Sequence, residues 1–199
     1  MWLGDLGPAR MTVLVGTLIG TVLALDAAFD ALAVNVVTTG LVDEPAHLAT
    51  AALGLLALST RFPTPKRRAI TWSALIASVA IDLDHLPLYA GVSGIAHGGR
   101  PYTHSLLTVA LVLLAGLTFR RLRTVLLGVA LGCALHLLRD VATGPGIPLL
   151  WPITDASVRV PYWIYFCFLL LFATIAVLRE FEDRPLTPPE SSAKCCSRF

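Results

Sequence analysis

The sequence predicts an all-α integral membrane protein, a bundle of about six transmembrane helices with a metal site at its outer-leaflet end. Three observations predict it. Of 199 residues, 56% are hydrophobic and only 14% charged, with a mean hydropathy of +0.75, far from the balance of a soluble domain. The apolar residues fall into long continuous runs. The histidines, with several aspartates, all map to one side of the bilayer these runs imply.

The runs are residues 11–37, 46–60, 69–90, 105–119, 124–141 and 161–178. They are Leu- and Ala-rich and lack period-two alternation, so helices are expected and a transmembrane barrel is not. The second and fourth are short of the roughly twenty residues a crossing needs, so they are expected to draw in their polar flanks or thin the bilayer. Arg10 precedes the first run, but its length and its acids Asp26 and Asp30 make it a retained helix and not a cleaved signal peptide. The cysteines, Cys133, Cys167, Cys195 and Cys196, show no CxxC spacing and no disulfide frame.

Orientation follows from the basic residues. Arg61, Lys66, Arg67 and Arg68 separate runs two and three, and Arg120, Arg121 and Arg123 separate runs four and five. The positive-inside rule places both loops, and with six spans both termini, in the cytoplasm, giving a multi-pass inner (plasma) membrane protein. His47 then opens span two at its outer end, and Asp82, Asp84 and His85 lie toward the outer end of span three. His97 and His104 flank the start of span four, while His136 and Asp140 close span five. One transmembrane domain is expected over residues 1–180, with its motifs in 45–155, followed by a disordered cytoplasmic tail over 181–199.

Each polar residue also has a structural reading. Asp82 and Asp84 could pair with Arg100 or Arg139, and His136 and Asp140, four residues apart on one helix face, could share a buried hydrogen bond. Asp26 and Asp30 suit interhelical hydrogen bonding. The convergence of so many at one end favours a site. Imidazole and carboxylate without thiolate suit zinc, with manganese, magnesium or iron as alternatives, and more than four ligands would suit two ions. Two such ions would bind a phosphoryl oxygen, acidify a water and stabilise the leaving oxygen.

Three patterns carry the chemistry. In Asp82-Leu83-Asp84-His85 a regular helix would turn Asp84 away from Asp82 and His85, and Pro87 makes a local distortion reasonable. Thr103-His104-Ser105 follows Gly98-Gly99-Arg100-Pro101, a turn able to bring a guanidinium to an anion. His136-Leu137-Leu138-Arg139-Asp140 runs into Gly144-Pro145-Gly146 and Leu149-Leu150-Trp151-Pro152.

Together these patterns resemble the YdjM-type family of membrane-bound metal-dependent hydrolases, in which PDxDH-like, HRGxTHS-like and GxxxHxxxDxxTxxGxxLLxP-like motifs follow in this order after an early histidine. The resemblance spans about residues 45–155. It implies hydrolase activity, distant similarity to zinc phospholipase C enzymes, and metal ligation by Asp82, Asp84, His85, His104, His136 and Asp140, with His47 as the early histidine; beside such ions Arg100 would clamp the phosphate, with Asp84 and His104 as the other catalytic candidates. Ile81 stands where the family carries proline. Gly99 stands where it carries the histidine of the second motif, and His97, two residues earlier, either replaces that ligand or leaves it lost.

The functional expectation is a hydrolase of a phosphoester or other anionic head group on a lipid-like substrate taken from the bilayer. Glu44-x-x-His47 and Asp82-x-x-His85 also fit di-iron oxidase chemistry, and the same ligands could support prenyl-lipid cyclisation or rearrangement. A metal or proton-coupled transporter is the third class, although no inverted repeat is visible. A net charge of +2 argues against nucleic-acid binding. One chain leaves the oligomeric state open.

Overall fold

The computed structural model describes residues 6–32, 35–58 and 64–182. Arg61, Cys195, Cys196 and the tail from residue 183 lie outside the described residues, as does the Asp30 side chain. Helices α1 (Pro8–Leu32), α2 (Val36–Leu58) and α3 (Thr64–Ala80) are followed by a 3₁₀ turn (Ile81–Asp84) and a short α4 (His85–Tyr89). A two-stranded hairpin, β1 (Ala96–His97) and β2 (Arg100–Pro101), leads to α5 (Leu106–Thr118), α6 (Arg123–Asp140) and α7 (Tyr162–Glu182).

Helix α1 opens on Pro8, whose missing N–H costs nothing in a first turn. Thr12, Thr17 and Thr21 return their hydroxyls to the carbonyls of Pro8, Val13 and Thr17 at 2.8–2.9 Å, so these polar groups remain satisfied on an apolar helix. The first apolar run does not end where expected. Asn35 accepts the N–H groups of Val37 and Thr38 at 3.0 Å, capping a new helix within the run. Residues 36–45 thereby join α2, and the second span, expected to be short, reaches 23 residues.

Among the described residues, four helices are long and apolar enough to cross a membrane: Pro8–Phe29, Val37–Leu58, Lys66–Tyr89 and Tyr162–Glu182. Six were expected. The 13 residues of α5 extend about 20 Å, short of a core of about 30 Å. The 18 residues of α6 end on His136, Arg139 and Asp140, all buried against other helices, so this helix is built to face protein. Helix α7 runs through Glu182, past the expected start of the tail, and Glu180 accepts the Gly7 N–H at 3.1 Å.

Helices α3 and α6 lie side by side in parallel with a constant register. A Cβ on Gly128 would come within 2.7 Å of the Ile70 carbonyl oxygen, and one on Gly132 within 2.2 Å of that of Ala74. Only glycine permits so close a crossing. Ala51, Leu55, Ala74 and Leu135 seal the α2–α3–α6 junction, and Val15, Val22, Leu53, Tyr165 and Leu169 form the larger core of α1, α2 and α7. The site lies at the C-terminal ends of α3 and α6.

Candidate metal centre

The register that stacks Gly132 on Ala74 places His136 beside Ser78 one turn later, and Nδ1 of His136 meets the Ser78 carbonyl at 2.8 Å. A carbonyl only accepts, so Nδ1 carries a proton and Nε2 is the ring atom turned to the cluster. That atom faces Asp140 Oδ2 at 3.1 Å and Asp82 Oδ1 at 3.5 Å. An acceptor ringed by acceptors needs a proton or a cation between them.

The 3₁₀ turn supplies the other half. Its three-residue period brings Asp82 and His85 onto one side, and the distortion expected near Pro87 takes this form. His85 Nδ1 lies 3.4 Å from Asp82 Oδ1 and 3.1 Å from Asp84 Oδ1. His104 is fully buried between these carboxylates, with Nε2 3.0 Å from Asp82 Oδ1 and Nδ1 3.2 Å from Asp84 Oδ2. The Thr103 hydroxyl donates to Asp84. Burial alone would lower the His104 pKa, but Asp82 and Asp84 outweigh it and raise it to about 9.

His47 lies well inside α2, not at its opening, and its ring stacks on that of His136 at a centroid distance of 3.8 Å. Its Nε2 receives Arg139 Nη1 at 3.1 Å and its buried Nδ1 has no hydrogen-bond partner. Arg139 also binds Asp43 and, at 2.5 Å, Asp26, and Tyr162 donates to Asp26 at 2.6 Å. Arg139 therefore pairs with the acids of α1 and α2 and leaves Asp82 and Asp84 to the histidines. The sequence offered no partner for Arg139 among Asp26 and Asp43. Asp26 is an interhelical tie.

Donors gather in three overlapping sets whose atoms lie within 4.8 Å of one another: Asp82, Asp84, His85 and His104; His47, Asp82 and His136; His104, His136 and Asp140. These sets could hold a metal ion. His104 and His136 Nε2 each lie 3.0–3.5 Å from carboxylate oxygens of both Asp82 and Asp140. Several donors are otherwise orphaned: Oδ1 of Asp84 and Asp140 and Nδ1 of His47, His85 and His104 are buried without a hydrogen-bond partner. Three carboxylates at the negative ends of two helix dipoles also call for positive charge. The residues fit a cation.

One of the five histidines stays apart. His97 is 46% exposed and pairs with Asp155 at 3.5 Å, so it does not substitute for the histidine missing at Gly99. Gly98 and Gly99, at φ of +58° and +82°, make the two-residue turn of a tight hairpin, which sends Arg100 inward to Asp140 at 3.5 Å and leaves His97 outside. Arg100 lines a pocket of about 360 Å³ with Glu44, Asp82 and His85.

The family model of the YdjM inner membrane protein matches residues 42–193. The chain belongs to the YdjM inner membrane protein family. The match covers every clustered donor and leaves α1 outside. Family membership thus covers the helices that meet at the cluster, while Asp26, which anchors Arg139, comes from the helix ahead of the matched region. No curated protein and no solved structure matches the chain.

Proposed function

We propose that this YdjM-family protein is a membrane-embedded, metal-dependent hydrolase acting on a phosphoester or similar anionic head group of a lipid, with zinc as the metal. The observation that carries the reading is the cluster of His and Asp donors at this end of the bundle, with buried atoms of Asp84, His85, His104 and Asp140 left without a hydrogen-bond partner, beside the Arg100 pocket. His104, His136 and Asp140 would hold one ion, and Asp82, Asp84 and His85 would form a second set that shares His104. When bound, such ions supply Lewis-acid stabilisation of phosphoryl charge and lower the pKa of water.

The protein's own groups do the rest. Arg100 orients an anionic head group by charge-assisted hydrogen bonds. The Ser78 carbonyl fixes the His136 tautomer, and Thr103 holds Asp84 against His104 Nδ1, where the pair can hold a proton during turnover. Asp43 and Asp26 neutralise Arg139, which leaves Asp82 and Asp84 to the histidines. Both termini cytoplasmic, a centre at the outer leaflet and distant kinship to zinc phospholipase C enzymes belong to the same reading.

Detergent-purified protein should contain stoichiometric metal and release inorganic phosphate from a lipid phosphomonoester. His136→Ala combined with Asp140→Ala should lose both. Metal retained in the double variant would sink the assignment, and turnover of lipid without phosphate release would favour rearrangement or oxygen chemistry instead.

A further inference from the structure

Between α1, α2 and α3 lies an open groove of about 920 Å³, walled by apolar side chains including Leu18, Leu48, Ala52, Ile76 and Val79. Its only charged lining residues are Glu44 and Asp82. Both also line the pocket that holds His85 and Arg100. The groove therefore adjoins the candidate centre at one end, across Glu44 and Asp82, and is mostly apolar along the rest.

Its length is informative. From Asp82 the groove follows α3 back to Trp72, ten residues or about 15 Å of helix, half of a hydrocarbon core of about 30 Å. That is the depth of one leaflet. Trp72 is 58% exposed at the far end, about 6 Å of helix from Arg68.

We infer that this groove seats the hydrocarbon chain of the lipid whose anionic head group enters the Arg100 pocket, with Glu44 and Asp82 marking the junction of chain and head. The chain lies along α2 and α3 with its end near Trp72, and the bond to be cleaved stands beside Asp82. The inference rests on the lipid-hydrolase reading for the identity of the head group. Hydrocarbon gains nothing by leaving a bilayer for an apolar groove, so selectivity comes from the head. The groove fixes how deep the scissile group sits.

The test uses metal-loaded protein in phosphatidylcholine nanodiscs with Trp72 fluorescence, isolated by subtracting the Trp72→Phe variant. The quencher is a phosphonate analogue of phosphatidic acid with brominated chains, compared with brominated phosphatidylcholine at equal mole fraction. The phosphonate should be enriched at Trp72 about tenfold, the worth of one charge-assisted hydrogen bond at Arg100. Ala52→Phe, which narrows the groove, should keep the metal and lose the enrichment; Val79→Phe on the facing wall serves if the first variant does not fold. Equal quenching by both lipids, with phosphate still released from phosphatidic acid, would overturn the groove and spare the hydrolase. Enrichment without phosphate release from any lipid phosphoester would do the reverse.

Discussion

His136 Nδ1 meets the Ser78 carbonyl at 2.8 Å across the α3–α6 seam, and the two residues are 58 positions apart, the same offset that separates Gly132 from Ala74 and Gly128 from Ile70. One helix register therefore sets both the tightest packing in the protein and the tautomer of a metal-facing imidazole. Packing and chemistry share a single geometric constraint.

Gly132→Ala tests that coupling. The new methyl group would sit 2.2 Å from the Ala74 carbonyl oxygen, and backbone cannot step aside as a side chain can. The helices must separate, at a cost of about 1–3 kcal/mol, and His136 must withdraw from Ser78. A lower unfolding temperature together with loss of bound metal is the expected result; a destabilised protein with full metal content would show that the register does not hold the site. Gly54→Ala is the control, because its new methyl meets only the Leu135 side chain.

Metal binding should strengthen with pH. His104 is raised from 6.5 to about 9, so the metal-free protein holds a proton there at neutral pH, and an ion taking that imidazole must displace it. For this proton, zinc affinity rises about tenfold per pH unit up to about pH 9. The stability of the metal-free protein moves oppositely. A raised histidine contributes fully below about pH 6.5, and its contribution is lost as pH climbs to about 9. Zinc titrations and metal-free melts across this window check both slopes, and an affinity flat with pH would exclude His104 as a protonated ligand.

That the site residues share one end of the bundle was legible in the sequence because hydropathy and spacing report position along a helix directly. His47, His85, His104 and His136 meet Asp82, Asp84 and Asp140 at one end of α3 and α6, and the 3₁₀ turn that gathers Asp82, Asp84 and His85 follows from spacing and Pro87. Rotation about the helix axes was not legible. The sequence paired Arg139 with Asp82 or Asp84, and only the packing of α1 and α2 selects Asp26 and Asp43. The break at Asn35 was visible as a capping residue but was masked by hydrophobic neighbours on both sides. Among the described residues α6 is not one of the four helices long and apolar enough to cross a membrane, because its 18 residues include Arg123, Arg139 and Asp140.

His97→Ala should change nothing at the centre. The ring is half exposed and its partner Asp155 is more exposed still, so stability should stay within about 0.5 kcal/mol of the parent, with metal content intact. Elemental analysis and a melt decide it. A fall in bound metal would return His97 to the ligand set and require the hairpin to turn over when metal binds.

Arg139 is expected to be the costliest single truncation in the bundle. Its side chain is 2% exposed and holds Asp43 and Asp26 while donating to His47. Removing it leaves two carboxylates without their cation in a medium that solvates them poorly. Arg139→Met should therefore destabilise by about 3–5 kcal/mol, whereas replacing an entire buried ion network with neutral groups is often nearly neutral. Adding Asp26→Asn and Asp43→Asn to Arg139→Met should thus recover most of the loss in unfolding temperature. If the triple variant is no more stable than the single one, the arginine acts through His47 and not through charge neutralisation.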